Sequence, residues 1–396
     1  MKPPAPLSPP HRVLMGPGPS DVDPRVLAAL AQPTIGHLDP AFIVVMEQVR
    51  SMLQAVFGTA NQLTIPMSGT GSAGMEAAMV NLVEPGDRVL VGVNGVFGGR
   101  LCAVAERAGG EVVQVQADWG RALDPDAFRV AAAGRAVKVV ALVHAETSTG
   151  VLQDLRGFRE VADDVGALLL VDAVTSLGGC AVDLDAHGVD AAYSGTQKCL
   201  SCPPGLAPLS VSARAVQALS TRRRPAVSWY LDLALIARYW LGTEESGGTA
   251  RAYHHTAPIN MIYGLHEALR LVLEEGLEAR FARHRRISSA FAAGLQAMDL
   301  VLPVPAAERL PQLTLVAVPQ GIDEARVRAD LLAEHSLEIG GGLGAFAGRA
   351  WRIGLMGAGC TEGNARLCLS ALRGAHARQG LALPDPLPAF VAALGG

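Results

Sequence analysis

The sequence is poor in aromatic residues and in charge. Aromatic side chains make up 5% of its 396 residues and charged ones 18%, whereas half of the residues are hydrophobic. So little charge beside so much apolar surface excludes intrinsic disorder. With few rings available, the core has to be built mainly from alanine, valine and leucine. The length favours two or three domains.

The chain also lacks an excess of positive charge and any long apolar run. Its formal net charge is −4, so the electrostatic footprint of a nucleic-acid-binding protein is missing. No apolar run approaches the roughly 20 residues needed to cross a bilayer. The proline-rich start, MKPPAPLSPPHR, has no apolar core of a secretory signal. We therefore expect a cytoplasmic protein that binds neither nucleic acid nor membrane.

Cysteines are few and widely spaced. Six of them in so long a chain are typical of reduced thiols rather than of a disulfide framework. Cys199 and Cys202 form a CxxC pair, but a zinc site needs two more ligands, and no second CxxC or HxxxH is present. The adjacent His254 and His255 would point to opposite faces of an extended segment. The sequence thus predicts no metal site.

What is present is a regular alternation of apolar strands and amphipathic helices. Residues 41–57 have helical spacing of apolar positions, and RVLVGV (88–93) and EVVQVQ (111–116) read as strands. Strands that alternate with helices of about a dozen residues predict a mainly parallel, helix-covered sheet. Functional groups should then gather at the carboxyl ends of the strands.

The pattern changes after about residue 265. A long helix is followed by short strands at LTLVAVP (313–319) and WRIGLMG (351–357), with a helix between them. This mixture predicts a smaller α+β domain. We expect an N-terminal arm at 1–20, a large domain at 21–265 and a small domain at 266–396.

A glycine-rich turn lies between a predicted strand and a helix. SGTGSAG (68–74) matches G-x-G-x-x-G at Gly69, Gly71 and Gly74. Backbone N–H groups at such a helix N-terminus bind phosphate. A dinucleotide site would need an acidic residue at the end of the next strand, where this chain has Asn94. A phosphate site is therefore favoured over a dinucleotide site, and a purely structural turn remains the third alternative.

Two residues follow consecutive predicted strands. Asp172 lies near the end of LLLVDAV (168–174), and Lys198 follows the strand DAAYSG in the segment SGTQK. Singly, Asp172 is compatible with a helix cap and Lys198 with a solvated surface. Together, beside a phosphate loop, they are the groups that pyridoxal phosphate (PLP) chemistry needs. The lysine forms an imine with the aldehyde, and the carboxylate keeps the pyridine nitrogen protonated.

Arg352 stands in an apolar strand of the small domain, between Trp351 and Ile353. A guanidinium there is costly unless it meets an anion. A bidentate grip on a substrate carboxylate and a structural ion pair are the two interpretations.

The assembled motifs carry a family resemblance. The chain resembles the class V aminotransferases of the alanine–glyoxylate and serine–pyruvate type, near the bacterial ureidoglycine–glyoxylate aminotransferases. The resemblance covers nearly the whole chain. It implies a fold type I PLP-dependent transferase, an α/β protein whose large domain holds a mainly parallel seven-stranded sheet. The segments that carry it include LMGPGPSDVDPRV, SGTGSAGMEA, VNGVFGGR, VHAETSTGVLQ, LLLVDAVTSLGG, YSGTQKCLSCPPG, YHHT and WRIGLMG.

The same resemblance implies roles for individual residues. Lys198 corresponds to the Schiff-base lysine and Asp172 to the partner of the pyridine nitrogen. Arg352 corresponds to the arginine that binds the substrate carboxylate, with Gly18 lining the same pocket. Tyr253 and Thr256 correspond to residues that reach the phosphate of the neighbouring subunit, which implies a homodimer with shared active sites. The other cofactor-binding positions implied are Thr70, Gly71, Ser72, Phe97, Thr147 and Gln197.

Two positions bear on the substrate. Ureidoglycine-type members resemble this chain but carry Gln and Asn where it has His37 and Tyr253. We therefore expect a small amino acid, alanine or serine, as donor and a 2-oxo acid, glyoxylate above all, as acceptor, in a ping-pong cycle. Ureidoglycine–glyoxylate transamination is the alternative. A cysteine desulfurase would have Cys360 as its only candidate nucleophile, and the intact Lys198 argues against a non-catalytic PLP-fold protein.

Overall fold

A computed structural model describes residues 1, 3–132, 134–243 and 250–395. Its strands are β1 (Val13–Leu14), β2 (Leu63–Ser68), β3 (Arg88–Val93), β4 (Glu111–Gln116), β5 (Val139–Val143), β6 (Ala145–Glu146), β7 (Val151–Leu152), β8 (Leu168–Asp172), β9 (Ala191–Tyr193), β10 (Leu206–Val211), β11 (Leu313–Ala317), β12 (Leu337–Glu338), β13 (Gly340–Gly341) and β14 (Ala350–Gly354).

The helices follow the predicted alternation. They are α1 (Pro24–Leu30), α2 (Pro40–Phe57), α3 (Gly71–Leu82), α4 (Val96–Arg107), α5 (Pro125–Ala132), α6 (Phe158–Asp164), α7 (Ala213–Ser220), α8 (Leu233–Trp240), α9 (Ile259–Glu275), α10 (Leu277–Ala297), α11 (Glu324–His335), α12 (Glu362–Arg378) and α13 (Leu387–Gly395).

The large sheet has seven strands in the order β2-β10-β9-β8-β5-β3-β4. Strand β10 runs antiparallel to both of its neighbours, and the remaining strands share one direction. Every residue of β5 and β8 is buried, as expected of strands covered by helices on both faces. The predicted mainly parallel seven-stranded sheet is confirmed. Its geometry brings the carboxyl ends of β8 and β9 together.

Helix α2 shows how local sequence sets the element bounds. The Asp39 side chain accepts a hydrogen bond from the backbone N–H of Ala41, and Pro40 occupies the first helical position. Gly58 ends the helix with φ 65°, a left-handed conformation that glycine adopts without steric cost. The apolar face of α2 packs into the main core, as the periodicity predicts, through Phe42, Met46, Val49 and Leu53.

A second, smaller core forms around the antiparallel sheet β11-β14-β13. Strand β1 of the N-terminal arm pairs with β12, and Met15 is buried in this second core. The buried residues of the main core extend along the chain to Val272, and apart from Met15 those of the second begin at Ile287. The division at 1–20, 21–265 and 266–396 stays a prediction.

Three further observations concern the classes of protein considered above. Among the described residues, no helix has both the length and the apolar character needed to cross a membrane. In the same part of the chain, no group of three or more His, Cys, Asp or Glu side chains could hold a metal ion. All six cysteines are free thiols and buried.

Candidate active site

A cavity opens at the carboxyl ends of β8 and β9, beside the N-terminus of α3. It collects every cofactor-binding residue that the resemblance implies within one chain. These are Thr70, Gly71, Ser72, Phe97, Thr147, Asp172, Gln197 and Lys198. Residues from distant parts of the sequence therefore meet where the topology of a parallel sheet places ligands.

Asp172 is the last residue of β8 and is 3% exposed. One carboxylate oxygen accepts a hydrogen bond from the backbone N–H of Val174 at 2.8 Å, and the other accepts one from the Tyr193 hydroxyl at 2.7 Å. Burial raises the pKa of Asp172 to about 6, although both hydrogen bonds act in the opposite direction. Because burial disfavours the charged form of this carboxylate, a cationic partner in the cavity would stabilise it.

Lys198 lies in the turn after β9 and lines the same cavity. Its ammonium donates a hydrogen bond to the carbonyl oxygen of Pro17. Gly18 packs so closely that a Cβ there would collide with the lysine side chain. Burial, aided by the charge of Arg352, lowers the pKa of Lys198 to about 8. A larger fraction of the amine is thus neutral near pH 7, and the neutral amine is the form that attacks an aldehyde.

The other end of the cavity is the glycine-rich turn. Gly69 has φ 120°, a backbone conformation that a side chain rarely allows, and it leads the chain from β2 into α3. Thr70 occupies the N-cap position of α3 but makes no side-chain capping bond. The first N–H groups of the helix have no intrahelical partner, and they carry the positive end of its dipole. This favours a phosphate here.

Phe97 stands in the first turn of α4 and presents an aromatic ring to the cavity. Its backbone N–H donates to Glu146 Oε2 at 3.0 Å, and the Gly98 N–H donates to the same oxygen at 3.3 Å. The Ser148 hydroxyl donates to Glu146 Oε1 at 2.6 Å. Burial raises the pKa of Glu146. This carboxyl group fixes the start of α4 and thereby the position of the Phe97 ring.

Arg352 extends from β14 toward the cavity. Its side chain donates to the carbonyl oxygens of Gly341 at 2.7 Å and Thr147 at 3.4 Å. Burial lowers the pKa of Arg352, and the nearby Glu146 opposes this. Within the described residues Arg352 makes no salt bridge. The interpretation as a structural ion pair therefore has no support there, whereas a buried cation beside the cavity suits an anionic substrate.

Five of the predicted residues do not line this cavity: Gly18 and Arg352 contact residues that do, whereas Tyr253, Thr256 and His37 lie apart from it. Tyr253 is 62% exposed, and its ring centroid lies 5.2 Å from that of His37. Thr256 is also exposed. The structure brings His37 and Tyr253 together on the surface of the chain, away from the residues that surround Lys198. The assignment of Tyr253 and Thr256 to the neighbouring subunit's site, and of His37 to substrate binding, stays a prediction.

Sequence reasoning missed two residues of this region. Tyr193 reads as one more apolar position of the strand DAAYSG, and only the register of β9 against β8 places it directly opposite Asp172. Glu146 follows β5 and could have been noticed as an acidic residue in a buried, apolar context. Arg100, with its guanidinium 4.9 Å from the Phe97 ring centroid, also lines the cavity.

The residues present fit PLP. The Gln197 side-chain amide, one end of which is buried without a hydrogen-bond partner, lies next to the uncapped N-terminus of α3 and can turn its N–H toward a phosphate oxygen. Phe97 offers a stacking face, Asp172 a buried anion for a protonated ring nitrogen, and Lys198 an amine of lowered pKa. Together they match the phosphate, ring and aldehyde of the cofactor.

Cys360 does not resemble a catalytic nucleophile. It is fully buried, and burial raises the pKa of its thiol to about 11. Reactive cysteines have lowered pKa values and accessible sulfur atoms. This disfavours the desulfurase alternative.

Comparison with known proteins agrees with this geometry. The family model described as aminotransferase class-V matches residues 14–346. Alanine–glyoxylate aminotransferase of Callithrix jacchus is 41% identical over 369 residues, which are 93% of this chain and 88% of that protein. Two solved structures are also similar. Ureidoglycine–glyoxylate aminotransferase from Bacillus subtilis has a TM-score of 0.93 and 40% identity, covering 98% of this chain and all of that one.

The second structure is alanine–glyoxylate aminotransferase from a Nostoc species, with a TM-score of 0.90 and 47% identity. The match covers 93% of this chain and 96% of that chain. The resemblance noted from the sequence is thereby confirmed, together with fold type I and dependence on PLP. The chain belongs to the class V aminotransferases.

Proposed function

We propose that this aminotransferase moves the amino group of a small amino acid, alanine or serine, to glyoxylate in a ping-pong cycle. One observation carries the proposal. Lys198, Asp172 and the uncapped N-terminus of α3 line a single cavity, and Arg352 reaches the carbonyl oxygen of Thr147 at the edge of it. When bound, PLP supplies the aldehyde that takes the amino group and a ring that accepts electrons from the substrate α-carbon.

Each residue then has a distinct task. Arg352 binds the carboxylate of donor and acceptor in turn, because its guanidinium is buried without a protein carboxylate partner in the described part of the chain. Lys198 carries the proton to and from the substrate α-carbon as general acid and base, a task suited to a lowered pKa. Asp172 keeps the ring nitrogen protonated.

We propose a homodimer in which each cavity is completed by the neighbouring subunit. Tyr253 and Thr256 are exposed and lie outside the cavity of their own chain. Trp229 is 61% exposed and stacks on His254, the neighbour of Tyr253, and Val227, two residues before Trp229, is 69% exposed. A patch of exposed apolar side chains supports burial against a partner. His37 would enter the shared site together with Tyr253.

We propose the cytoplasm as the location of this protein.

The preference for small donors rests on whether an arginine is available to bind a second substrate carboxylate. Arg251 is occupied by an ion pair with Glu47, so it does not offer itself to a second substrate carboxylate. Arg100 lines the cavity but lies 3.5 Å from the Ser72 hydroxyl, at the phosphate end. Aspartate and glutamate would therefore bury their distal carboxylate without a dedicated partner. The Tyr253 and His37 side chains also replace the amides expected for a ureido group.

Ureidoglycine remains the second candidate donor, because the similarity to the Bacillus subtilis enzyme extends over 98% of this chain. Steady-state kcat/KM for alanine, serine, aspartate, glutamate and ureidoglycine, each with glyoxylate as acceptor, distinguishes the two. Alanine or serine should lead the series. A lead of tenfold or more for ureidoglycine or glutamate, about 1.4 kcal/mol of transition-state preference, would overturn the proposal.

A further inference from the structure

The Tyr193 hydroxyl is the one side-chain donor to the Asp172 carboxylate among the described residues. The O–H donates to Asp172 Oδ2 at 2.7 Å. The two residues are register partners on the parallel strands β8 and β9, so their side chains leave the same face of the sheet. Tyr193 is 0% exposed and Asp172 3% exposed. A hydrogen bond between a phenol and a buried carboxylate is charge-assisted and stronger than a neutral one.

The Tyr193 ring is held rigidly. A Cβ at Gly74 would lie 3.0 Å from the Tyr193 Cβ and 3.1 Å from the Ala207 Cβ, so α3 packs directly on the strand at this point. Packing alone would be satisfied by a phenylalanine. A buried hydroxyl, by contrast, is costly unless it is hydrogen-bonded, and the partner recorded for this one is Asp172. The presence of a hydroxyl at position 193 is therefore explained by its hydrogen bond to Asp172 and not by packing in the core.

The protonation states make the direction of this bond clear. Burial and the neighbouring Asp172 charge raise the pKa of Tyr193 well above its ordinary value, so the phenol stays protonated and donates. The pKa of Asp172, which burial raises to about 6, is lowered by the bonds from Val174 and Tyr193. The hydroxyl thus makes the carboxylate a weaker base than its surroundings alone would.

We propose that Tyr193 is a positioning residue that keeps the proton shared between Asp172 and the cofactor ring nitrogen on the nitrogen. This rests on the proposed role of Asp172. A more basic carboxylate would draw that proton to itself and leave the ring a poorer electron acceptor. Tyr193 acts through Asp172 and, in this assignment, touches neither substrate nor the reacting atoms.

The test is Tyr193→Phe, reconstituted with PLP labelled at the ring nitrogen and studied by NMR. The nitrogen signal should move toward that of an unprotonated pyridine, and kcat should fall about tenfold with KM for alanine unchanged. Tyr239→Phe is the matched control. It removes another buried tyrosine hydroxyl, which donates to the His37 carbonyl oxygen at 2.9 Å, and it should leave the nitrogen signal where it is.

Asp172→Asn, measured in the same way, distinguishes a failure of the role assigned to Tyr193 from a failure of the role assigned to Asp172. A signal that moves in Asp172→Asn but stays at the wild-type position in Tyr193→Phe overturns the role of Tyr193 alone. A signal that stays in both variants overturns the role of Asp172 and with it this inference. If Tyr193→Phe changes KM or thermal stability while the nitrogen remains protonated, Tyr193 is a structural residue and the inference is wrong.

Discussion

Arg352 and Thr147 join the two cores of the molecule at the edge of the cavity. Arg352 Nη1 lies 3.4 Å from the Thr147 carbonyl oxygen, and both residues are buried. Arg352 belongs to the small antiparallel sheet, whereas Thr147 follows the short strand β6 beside the large sheet. A substrate carboxylate held by this arginine would therefore be fixed by the relative position of the two cores.

Arg352→Gln should lower kcat/KM for alanine by about 10²-fold or more, because a buried, charge-assisted grip on the carboxylate is lost. Arg352→Lys should fall between this variant and the wild type, since an ammonium keeps the charge but not the planar fork. Steady-state kinetics measure both. Arg349→Gln, at an exposed position just before β14, is the control. Equal losses in Arg349→Gln and Arg352→Gln would contradict the assignment.

Asp172→Asn should stabilise the cofactor-free protein. The pKa of Asp172 is about 6 in the folded chain against an ordinary 3.8, so the folded state holds this proton more tightly than the unfolded state. The destabilisation that comes from the buried Asp172 charge is absent below the unfolded pKa of 3.8. It grows as the pH rises from 3.8 to about 6, and it is complete above about 6. We expect a gain of up to about 3 kcal/mol near pH 7.5.

Urea unfolding of the two cofactor-free proteins measures this gain. The asparagine can keep both neighbours, since its oxygen accepts from Val174 and the Tyr193 hydroxyl can turn to accept from its amide. The gap between variant and wild type should be smaller by about 1 kcal/mol at pH 5 than at pH 7.5. A variant that is less stable at both pH values would show that burial does not penalise the Asp172 charge.

The uptake of PLP by the cofactor-free protein should depend on the Lys198 amine. Its pKa is lowered to about 8, and only the deprotonated amine attacks the aldehyde. The rate of the visible absorbance change should therefore rise with pH and level off above about 8. Arg352→Gln should move the midpoint to higher pH, because the Arg352 charge helps to lower the pKa of Lys198. A midpoint near that of free lysine in both proteins would refute this description.

Mixing two inactive variants tests the shared active site. In a hybrid of Lys198→Ala with Tyr253→Ala/Thr256→Ala, one of the two sites would combine an intact Lys198 with intact partner residues, and activity should return. Lys198→Ala mixed with Asp172→Asn is the control, because both changes affect residues that line the same cavity and no hybrid site is intact. Recovery in neither mixture, despite hybrid formation, would place Tyr253 and Thr256 outside the neighbouring site.

The sequence predicted the strands and the residues that line the cofactor cavity better than it predicted the contacts that hold those residues in place. β3 and β4 occur at the residues expected, because short apolar or alternating runs between turns leave little choice of bounds. The position of β10 between β2 and β9 was not predicted, since strand order depends on contacts distant in sequence. The Tyr193 contact with Asp172 and the anchoring of Phe97 by Glu146 depend on register and loop geometry. Residue types and spacing do not determine these.

Borohydride reduction of the PLP-loaded enzyme, followed by peptide mapping, tests the central assignment most directly. Lys198 lines the cavity with a lowered pKa, beside Asp172 and the uncapped N-terminus of α3. We predict that the reduced cofactor is found on the peptide that contains Lys198, and that Lys198→Ala still binds PLP but is neither labelled nor active. Label on Lys138, or on any residue other than Lys198, would contradict the account.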